Sequence, residues 1–404
     1  MVKFIHAADL HMDRTFEGLA NLDEEMQTKL LQANLTVLEN IVDQAINYQV
    51  DFVLFVGDSF HQNRPSLKIQ KYFSEQLKRL EAHKIPIFLT FGNHDFYQKE
   101  RYWFEFPENL FLFTSETIET KKITTVSGET VAISGFSYTH PWIQKEKVID
   151  FPQRERVDYH IGLYHGEIGH NQGNYAPFHP AQMEEKGYDY WALGHIHVPT
   201  KLNEKGTILY PGAPQGHTKK EESARSILLV ELQGNHCQTV PIEVAEVYWK
   251  VQQISLQQAQ ATAEVLSLIK QTISSPKKQT LLEIKITDYA HLSNEIIERI
   301  QSGELLEYLV EETKYDFSNL LIWRMSIMEQ EKDGRVSLAA TTQLFEQLFE
   351  NYQVTEDFQQ ILHDAYTQQE AAKLLNDLPD YQNETLEKAK EIIHQDFLFE
   401  GGNE

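Results

Sequence analysis

Short apolar runs recur along the first 200 residues, at 2–8, 52–56, 85–91, 159–165 and 188–193, and each reads as a buried strand. Between the first three lie longer stretches with apolar side chains at every third or fourth position. One covers 23–48, through Met26, Leu30, Ala33, Val37, Ile41 and Ala45; the other covers 66–83. Both predict amphipathic helices. The resulting β-α-β-α-β order implies parallel strands covered by helices, with Pro86 near a strand start, where a missing donor is tolerable. From Thr120 the segments shorten and become β-rich, at 123–126, 131–138, 208–210 and 226–240, the last broken by the hairpin signal Gly234-Asn235. Two packed sheets flanked by helices fit this order.

Beyond residues 243–247 the texture changes again. Strands at 248–254, 281–286 and 320–328 alternate with helices at 256–273 and 293–301, with Pro276 and Lys277-Lys278 at an internal turn. Residues 337–399 read as helices with apolar positions at Leu344, Leu348, Phe349, Leu386, Ile392 and Ile393. The expected division is a first domain at 1–245, a small α/β capping domain at 246–334 and a helical C-terminal region at 335–404.

Chemistry gathers where the strands end. Asp9-Leu10-His11 follows the first run, Gly57-Asp58 the second, Gly92-Asn93-His94-Asp95 the third, and His165-Gly166 closes the run at 159–165. Leu193-Gly194-His195-Ile196-His197 follows the fifth and places two imidazoles two residues apart. On an extended segment those rings point the same way, into one small volume. A single Asp or His after a strand is ordinarily a cap or a turn residue. Five such ends on one chain point instead to a shared site, because imidazoles and carboxylates together hold divalent cations, and because ligands of open α/β sheets gather at the carboxyl ends of strands.

The strings Asp-x-His, Gly-Asp-x-x-His, Gly-Asn-His-Asp, His-Gly and Gly-His-x-His, in that order over about residues 1–240, resemble the five motifs of the calcineurin-like metallophosphoesterases. Asp9-Leu-His-Met-Asp13 and Gly57-Asp-Ser-Phe-His-Gln-Asn-Arg-Pro65 are similar to the DNA-repair nucleases within that superfamily, the SbcD group and particularly its YhaO-like branch. The resemblance implies a four-layer αββα sandwich of two mixed sheets, followed by the cap and the C-terminal helices. It implies two divalent ions, with Asp9, His11, Asp58 and His197 holding one, Asp58, Asn93, His165 and His195 the other, and Asp58 shared. Mn²⁺ is the ion the nuclease resemblance implies; the mixed imidazole and oxygen set also suits Fe²⁺ or Zn²⁺. Two such cations offset the charge of a phosphodiester and supply a nucleophile at neutral pH.

His94, beside the ligand Asn93, is the expected general acid. Phosphatases of the superfamily carry Asp where this chain has His61, and the resemblance implies that His61 works with His94 on the phosphate, as in the nucleases. A turn-capping role is the plainer alternative for His61. Asp13 and Asp95 are expected to orient or cap rather than ligate. His170, His179 and His217 flank the fourth and fifth motifs and read as surface residues. Arg64, Lys219 and Lys220 stand near motif loops within reach of a DNA backbone, although a charge pair on a loop is ordinarily only solvated.

Composition sharpens this only at two points. One cysteine among 404 residues, Cys237, rules out a disulfide framework and suits a reducing compartment. No apolar run of 18 residues occurs, and the first carboxylate arrives at Asp9, so a cytoplasmic chain without membrane contact is expected. The net charge of −24 is more awkward, because a DNA binder ordinarily shows a basic patch. Residues 295–404 hold 24 acidic against 8 basic side chains, so the first 294 residues carry only −8. The resemblance suggests how acidity and DNA coexist: such nucleases work with an SMC-like ATPase that grips DNA, docked on helices after the cap, and a homodimer is also in keeping. The expected function is therefore a metal-dependent DNA nuclease, an exonuclease of repair. A phosphatase or cyclic-nucleotide phosphodiesterase is the alternative enzyme, and a non-catalytic scaffold subunit the alternative outside enzymes.

Overall fold

A computed structural model describes residues 1–19, 22, 24–169, 173–316 and 318–328. His170 and the helical region expected at 335–404 lie outside the described residues, as does the end of the expected cap. Residues Met1–Met328 form one compact unit.

The chain opens with β1 (Val2–Ala7), α1 (Glu24–Asn47), β2 (Phe52–Val56), α2 (Leu67–Ala82), β3 (Ile87–Thr90) and β4 (Leu110–Leu112). A β-rich stretch follows: β5 (Glu119–Thr124), β6 (Thr130–Gly135), β7 (Tyr159–His165), α3 (Pro180–Glu185), β8 (Tyr190–Gly194), β9 (Thr200–Lys201) and β10 (Ile208–Tyr210). The hairpin β11 (Ser226–Gln233) and β12 (His236–Glu243) turns at Gly234-Asn235. The last elements are β13 (Val247–Ser255), α4 (Thr262–Thr272), β14 (Gln279–Thr287), α5 (Asn294–Gln301), α6 (Glu304–Asp316) and β15 (Leu320–Ile327).

Two six-stranded mixed sheets run β12-β11-β1-β2-β3-β4 and β5-β6-β7-β8-β10-β9, and a third of three strands runs β13-β14-β15. Strands β1 to β4 are mutually parallel, as are β6, β7, β8 and β10. The period of two in a strand explains why the first sheet can be covered on both sides. Ile5, Val53, Phe55, Ile87 and Leu89 face Leu38, Ile41, Val42, Phe73 and Leu77 of α1 and α2. Phe4, Phe52, Leu54 and Phe88 face the second sheet through Ile133, Ile161, Leu163 and Tyr190, with Phe4 and Phe52 stacked at 4.9 Å. Each large apolar side chain so buried contributes about 1.5–3 kcal/mol. Ser66 caps α2, its hydroxyl accepting from the Ile69 amide at 3.4 Å.

The two mixed sheets and their helices form the expected αββα sandwich, with a thin helical layer on the outer face of the second sheet. Among the described residues that face is covered by loops, the six-residue α3 and an aromatic cluster of Phe136, Tyr138, Phe151, Tyr164, Phe178 and Trp191. Aromatic rings supply in few residues the apolar area a long helix would bring. The third sheet is parallel throughout and begins at Val247. The Gln215 carboxamide pins its first residue by accepting from the Val247 amide at 3.0 Å and donating to the Val247 carbonyl at 2.8 Å. Trp249 donates to the Gly216 carbonyl and packs near Phe16. Lys219 forms an ion pair with the buried Glu283 of β14. The third sheet is thus tied to the loop at residues 215–221, which also serves the site.

Candidate functional site

The carboxyl ends of β1, β2, β3, β7 and β8 meet, and there the backbone leaves regular geometry. Asp9, His11, Asp58 and His195 have φ of +53°, +42°, +50° and +105°, four of the eight positive-φ residues other than glycine among the described residues. Each such residue costs about 1–3 kcal/mol, and the cost is sustained only where surrounding structure fixes it, typically at functional sites. The strand-end glycines permit the approach. A Cβ on Gly92 would lie 2.2 Å from Asp58 Oδ1 and 2.6 Å from His165 Nε2, and one on Gly57 would lie 2.2 Å from His165 Nδ1.

Seven side chains converge. His11 Nε2 and His197 Nε2 face each other at 3.1 Å, and His11 Nε2 lies 3.7 Å from Asp58 Oδ2. The same Asp58 Oδ2 atom lies 3.4 Å from His165 Nε2. Asn93 Oδ1 stands 3.1 Å from His165 Nε2 and 3.2 Å from His195 Nδ1. Asp9 lies between, with both oxygens accepting from the His195 amide at 3.0 Å. Asp9, His11 and His197 offer ligand atoms within 4.8 Å of one another, and so do Asp9, Asp58 and His165. The Gly194–His197 segment differs from the extended piece expected from sequence. The strand stops at Gly194, and the positive φ of His195 sends the two imidazoles to different partners, His195 to Asn93 and His197 to His11.

Neighbouring groups fix the orientation of these rings. His165 Nδ1–H donates to the Val56 carbonyl at 3.1 Å, and His197 Nδ1–H donates to Glu221 Oε1 at 2.9 Å, so in the neutral form of each ring the lone pair sits on Nε2. Arg14 donates to the same Glu221 oxygen at 3.2 Å, and Glu221 Oε2 accepts from the His217 amide at 2.8 Å. Glu167 lies 3.9 Å from His195 Nε2, and the Tyr175 ring lies 4.7 Å from that of His195. Arg14, Glu167, Tyr175 and Glu221 escaped the sequence reading. Glu221 sits in the run Lys219-Lys220-Glu221-Glu222, which offers only the signal of a solvated face.

Asp95 and Asp13 hold loops. Asp95 accepts from the amides of Gly92, Asp58 and Ser59 at 2.7, 3.2 and 2.8 Å, and Asp13 accepts from those of His61 and Gln62. The Asp58 Oδ1 atom accepts from the His94 amide at 3.0 Å. The His61 and His94 rings stack at 4.7 Å with 24° between planes, and lie 5.3 and 5.1 Å from the His11 ring. His217, expected on the surface, is fully buried instead, with Nε2 against Asn34 Oδ1 at 3.2 Å and its ring beside Phe16. The reason is the third sheet, whose Trp249 closes over Phe16.

The residues present fit a pair of cations. His197 Nε2 presents a lone pair to His11 Nε2, and His11 Nδ1 is buried with no partner, so neither tautomer of His11 satisfies both of its nitrogens. Electrostatics ask for the same thing. Burial pushes the Asp9 carboxyl up to about 6 against His165 and His197, which pull it down. Burial also opposes charge on Asp58, yet His165 and His11 hold its carboxyl well below the ordinary range. His165 rises to about 9, since Asp58 and Asp9 outweigh burial. Two buried carboxylates thus draw positive charge to the place where the imidazoles converge.

The fold and this cluster define a metal-dependent phosphoester hydrolase. The chain belongs to the calcineurin-like phosphoesterases, whose family model matches residues 2–199. Members of this family use a dinuclear metal site and are hydrolases. The chain is 30% identical to an uncharacterized metallophosphoesterase, YhaO, of Bacillus subtilis over 279 residues, 68% of either chain. It is 25% identical to the DNA double-strand break repair protein Mre11 of Methanopyrus kandleri over 61% of this chain and 57% of the other. It is 24% identical to the Mre11 protein of Methanocaldococcus jannaschii over 60% and 66%. The chain therefore spans somewhat over half the length of these Mre11 proteins. Among the described residues no helix is long and apolar enough to cross a membrane.

Proposed function

We propose that this chain is a metal-dependent DNA nuclease, an exonuclease of repair, that hydrolyses phosphodiesters at the cluster around Asp58. The observation that carries the reading is the stacked pair His61–His94 beside His11. A small phosphate monoester needs one group to protonate its leaving oxygen, whereas a second imidazole adds a contact for a larger substrate. Similarity to proteins named for double-strand break repair supports the same reading.

Asp9, His11, Asp58 and His197 would hold one cation, and Asp58, Asn93, His165 and His195 the other, with Asp58 common to both. Two divalent cations, when bound, supply charge neutralisation and Lewis acidity; Mn²⁺ suits the nuclease reading. His94 Nδ1–H donates to the His61 carbonyl at 3.3 Å, so a protonated His94 keeps its Nε2–H free to pass to the leaving alkoxide oxygen. His61 packs against the face of that ring and keeps it aimed. On this reading the acidic chain meets DNA with an SMC-like ATPase as its partner, which supplies the basic surface that a net charge of −24 lacks.

The test compares two substrates. His94→Gln should keep bound metal and lose about 10²–10⁴-fold in rate on DNA. His61→Asn should slow DNA cleavage more than hydrolysis of bis-p-nitrophenyl phosphate, whose leaving group needs little protonation. Equal losses on both substrates in both variants contradict the assignment.

A further inference from the structure

Arg64 follows His61 by three residues, Arg101 lies close enough to feel its charge, and neither takes part in an ion pair, in a chain with 60 acidic side chains against 36 basic ones. Arg14, Arg79, Arg154, Arg299 and Arg324 each meet a carboxylate, whereas Arg156 and Arg225 show no ion pair among the described residues and Arg225 stands over the Tyr248 ring. Arg101 is more unusual still. Its Nε and Nη1 are sealed from solvent with no hydrogen-bond partner, although a guanidinium offers five donors. Its guanidinium carbon stands 4.4 Å over the Phe96 ring, one residue beyond Asp95. Burial lowers its pKa and the charge of nearby Arg64 lowers it further, so the two guanidiniums repel each other.

One buried side chain staples this patch to the motif loops. Gln70 Nε2 donates to the Pro65 carbonyl at 2.9 Å and to the Arg101 carbonyl at 3.0 Å, while Gln70 Oε1 accepts from the Trp103 amide at 3.1 Å. Arg64 is three residues from His61. Tyr102, extended at φ −99° and ψ 116°, turns inward onto Phe91 at 5.3 Å. Trp103, the next residue, is left 74% exposed, the most exposed tryptophan among the described residues. A large bare aromatic next to two unpaired arginines has no structural use here. It matches the make-up of a surface that binds a nucleic-acid strand, where cations take the phosphates and an aromatic face takes a base.

We propose that Arg64, Arg101 and Trp103 form a polynucleotide subsite beside the catalytic cluster, with the two guanidiniums on a non-scissile phosphate and the Trp103 indole under a neighbouring base. The subsite rests on the nuclease reading above and deepens it. It requires a strand that continues past the scissile bond, and a mononucleotide ester leaves it empty. Rotation of the Arg101 side chain toward the anion frees the two donors that are unpaired beneath it. Arg64 and Arg101 supply positive charge where the chain as a whole is acidic.

The test uses the full-length protein and a fluorescein-labelled 20-nucleotide oligothymidylate, with binding followed by anisotropy in EDTA over a range of NaCl. Trp103→Ala should weaken binding by roughly 5- to 150-fold, the loss of one stacked base, with the salt dependence unchanged. Arg64→Ala/Arg101→Ala should lower the slope of log K against log salt by about 1.4, two phosphate contacts on a single strand. In Mn²⁺, either variant should lose at least tenfold more activity on the oligonucleotide than on bis-p-nitrophenyl phosphate. Trp103→Ala guards against a folding artefact, because an exposed side chain can be removed without disturbing the core. If the wild type binds and cleaves the oligonucleotide while both variants match its affinity and slope, the subsite is wrong and the nuclease reading stands. If the wild type binds, the variants bind more weakly as stated, and no oligonucleotide is cleaved, the subsite stands and the nuclease reading fails. A wild type that hydrolyses the small ester but neither binds nor cleaves DNA overturns both.

Discussion

Glu221 offers a sharp test of how the site is assembled, because it touches no substrate and lies 24 residues from the ring it orients. Its Oε1 accepts the His197 Nδ1–H at 2.9 Å and an Arg14 donor at 3.2 Å, while Oε2 accepts from the His217 amide at 2.8 Å. The contact fixes the His197 tautomer that presents a bare Nε2. Glu221→Ala frees the ring to turn or to move its proton to Nε2, where it blocks coordination. Removing such a partner typically reduces metal affinity 10–100-fold, or about 1.4–2.7 kcal/mol. Only the half of the site holding His197 should suffer. Titration calorimetry with Mn²⁺ should therefore show one weakened step out of two. Glu221→Gln keeps a weaker oxygen acceptor and should fall between wild type and the alanine variant. Two unaltered steps in Glu221→Ala would show that Glu221 does not orient His197. Loss of both steps together with a lowered unfolding temperature would show the same, since the carboxylate would then be holding the loop rather than the ring.

Asp58→Ala should abolish hydrolysis and bring bound metal below two per chain by mass spectrometry, since the Asp58 carboxylate lies 3.7 Å from His11 and 3.4 Å from His165, one imidazole from each half of the cluster; full occupancy with normal turnover would contradict that. Acid should destabilise the fold through its buried imidazoles. Burial lowers His6 to about 3, against the hydrogen bond to the Leu193 carbonyl, while the unfolded chain titrates near 6.5. Between those values the unfolded state binds the extra proton, so this stability is complete above pH 6.5 and declines as the pH falls toward 3, by up to about 5 kcal/mol. His6 is fully buried between the Tyr190 hydroxyl and the Leu193 carbonyl, each at 3.0 Å, and His217 acts in the same direction. Urea midpoints measured from pH 7.5 to 5 should fall less steeply for His6→Gln than for wild type, and parallel curves would count against the assignment.

The parts of this architecture that were legible in the sequence share a physical cause. Strands buried on both faces read as apolar runs, and the residues just past their ends must leave the ladder, so Gly57-Asp58 and Gly92-Asn93 announce themselves locally. Helix α1 at Glu24–Asn47 and α2 at Leu67–Ala82 follow from spacing alone. Helix α6 at Glu304–Asp316 went unassigned because its buried positions, Leu305 and Leu309, are sparse among glutamates. The thin outer cover of the second sheet was illegible because aromatic residues in loops carry no period. Arg14, Glu167 and Glu221 were invisible for a similar reason: each reaches the site from an irregular segment, and its role depends on which distant imidazole the fold sets beside it. His217 read as a surface residue because nothing local foretells that the third sheet closes over it.

One experiment tests the proposal that the Asp58 cluster hydrolyses DNA with divalent cations. Purified full-length protein is incubated with end-labelled single- and double-stranded DNA, with Mn²⁺ or with EDTA, and products are resolved at nucleotide resolution beside a bis-p-nitrophenyl phosphate control. Progressive shortening of labelled DNA that requires Mn²⁺ and is lost in Asp58→Ala is the predicted result. Metal-dependent hydrolysis of the small ester, with both DNA substrates left intact at every protein concentration, would contradict it.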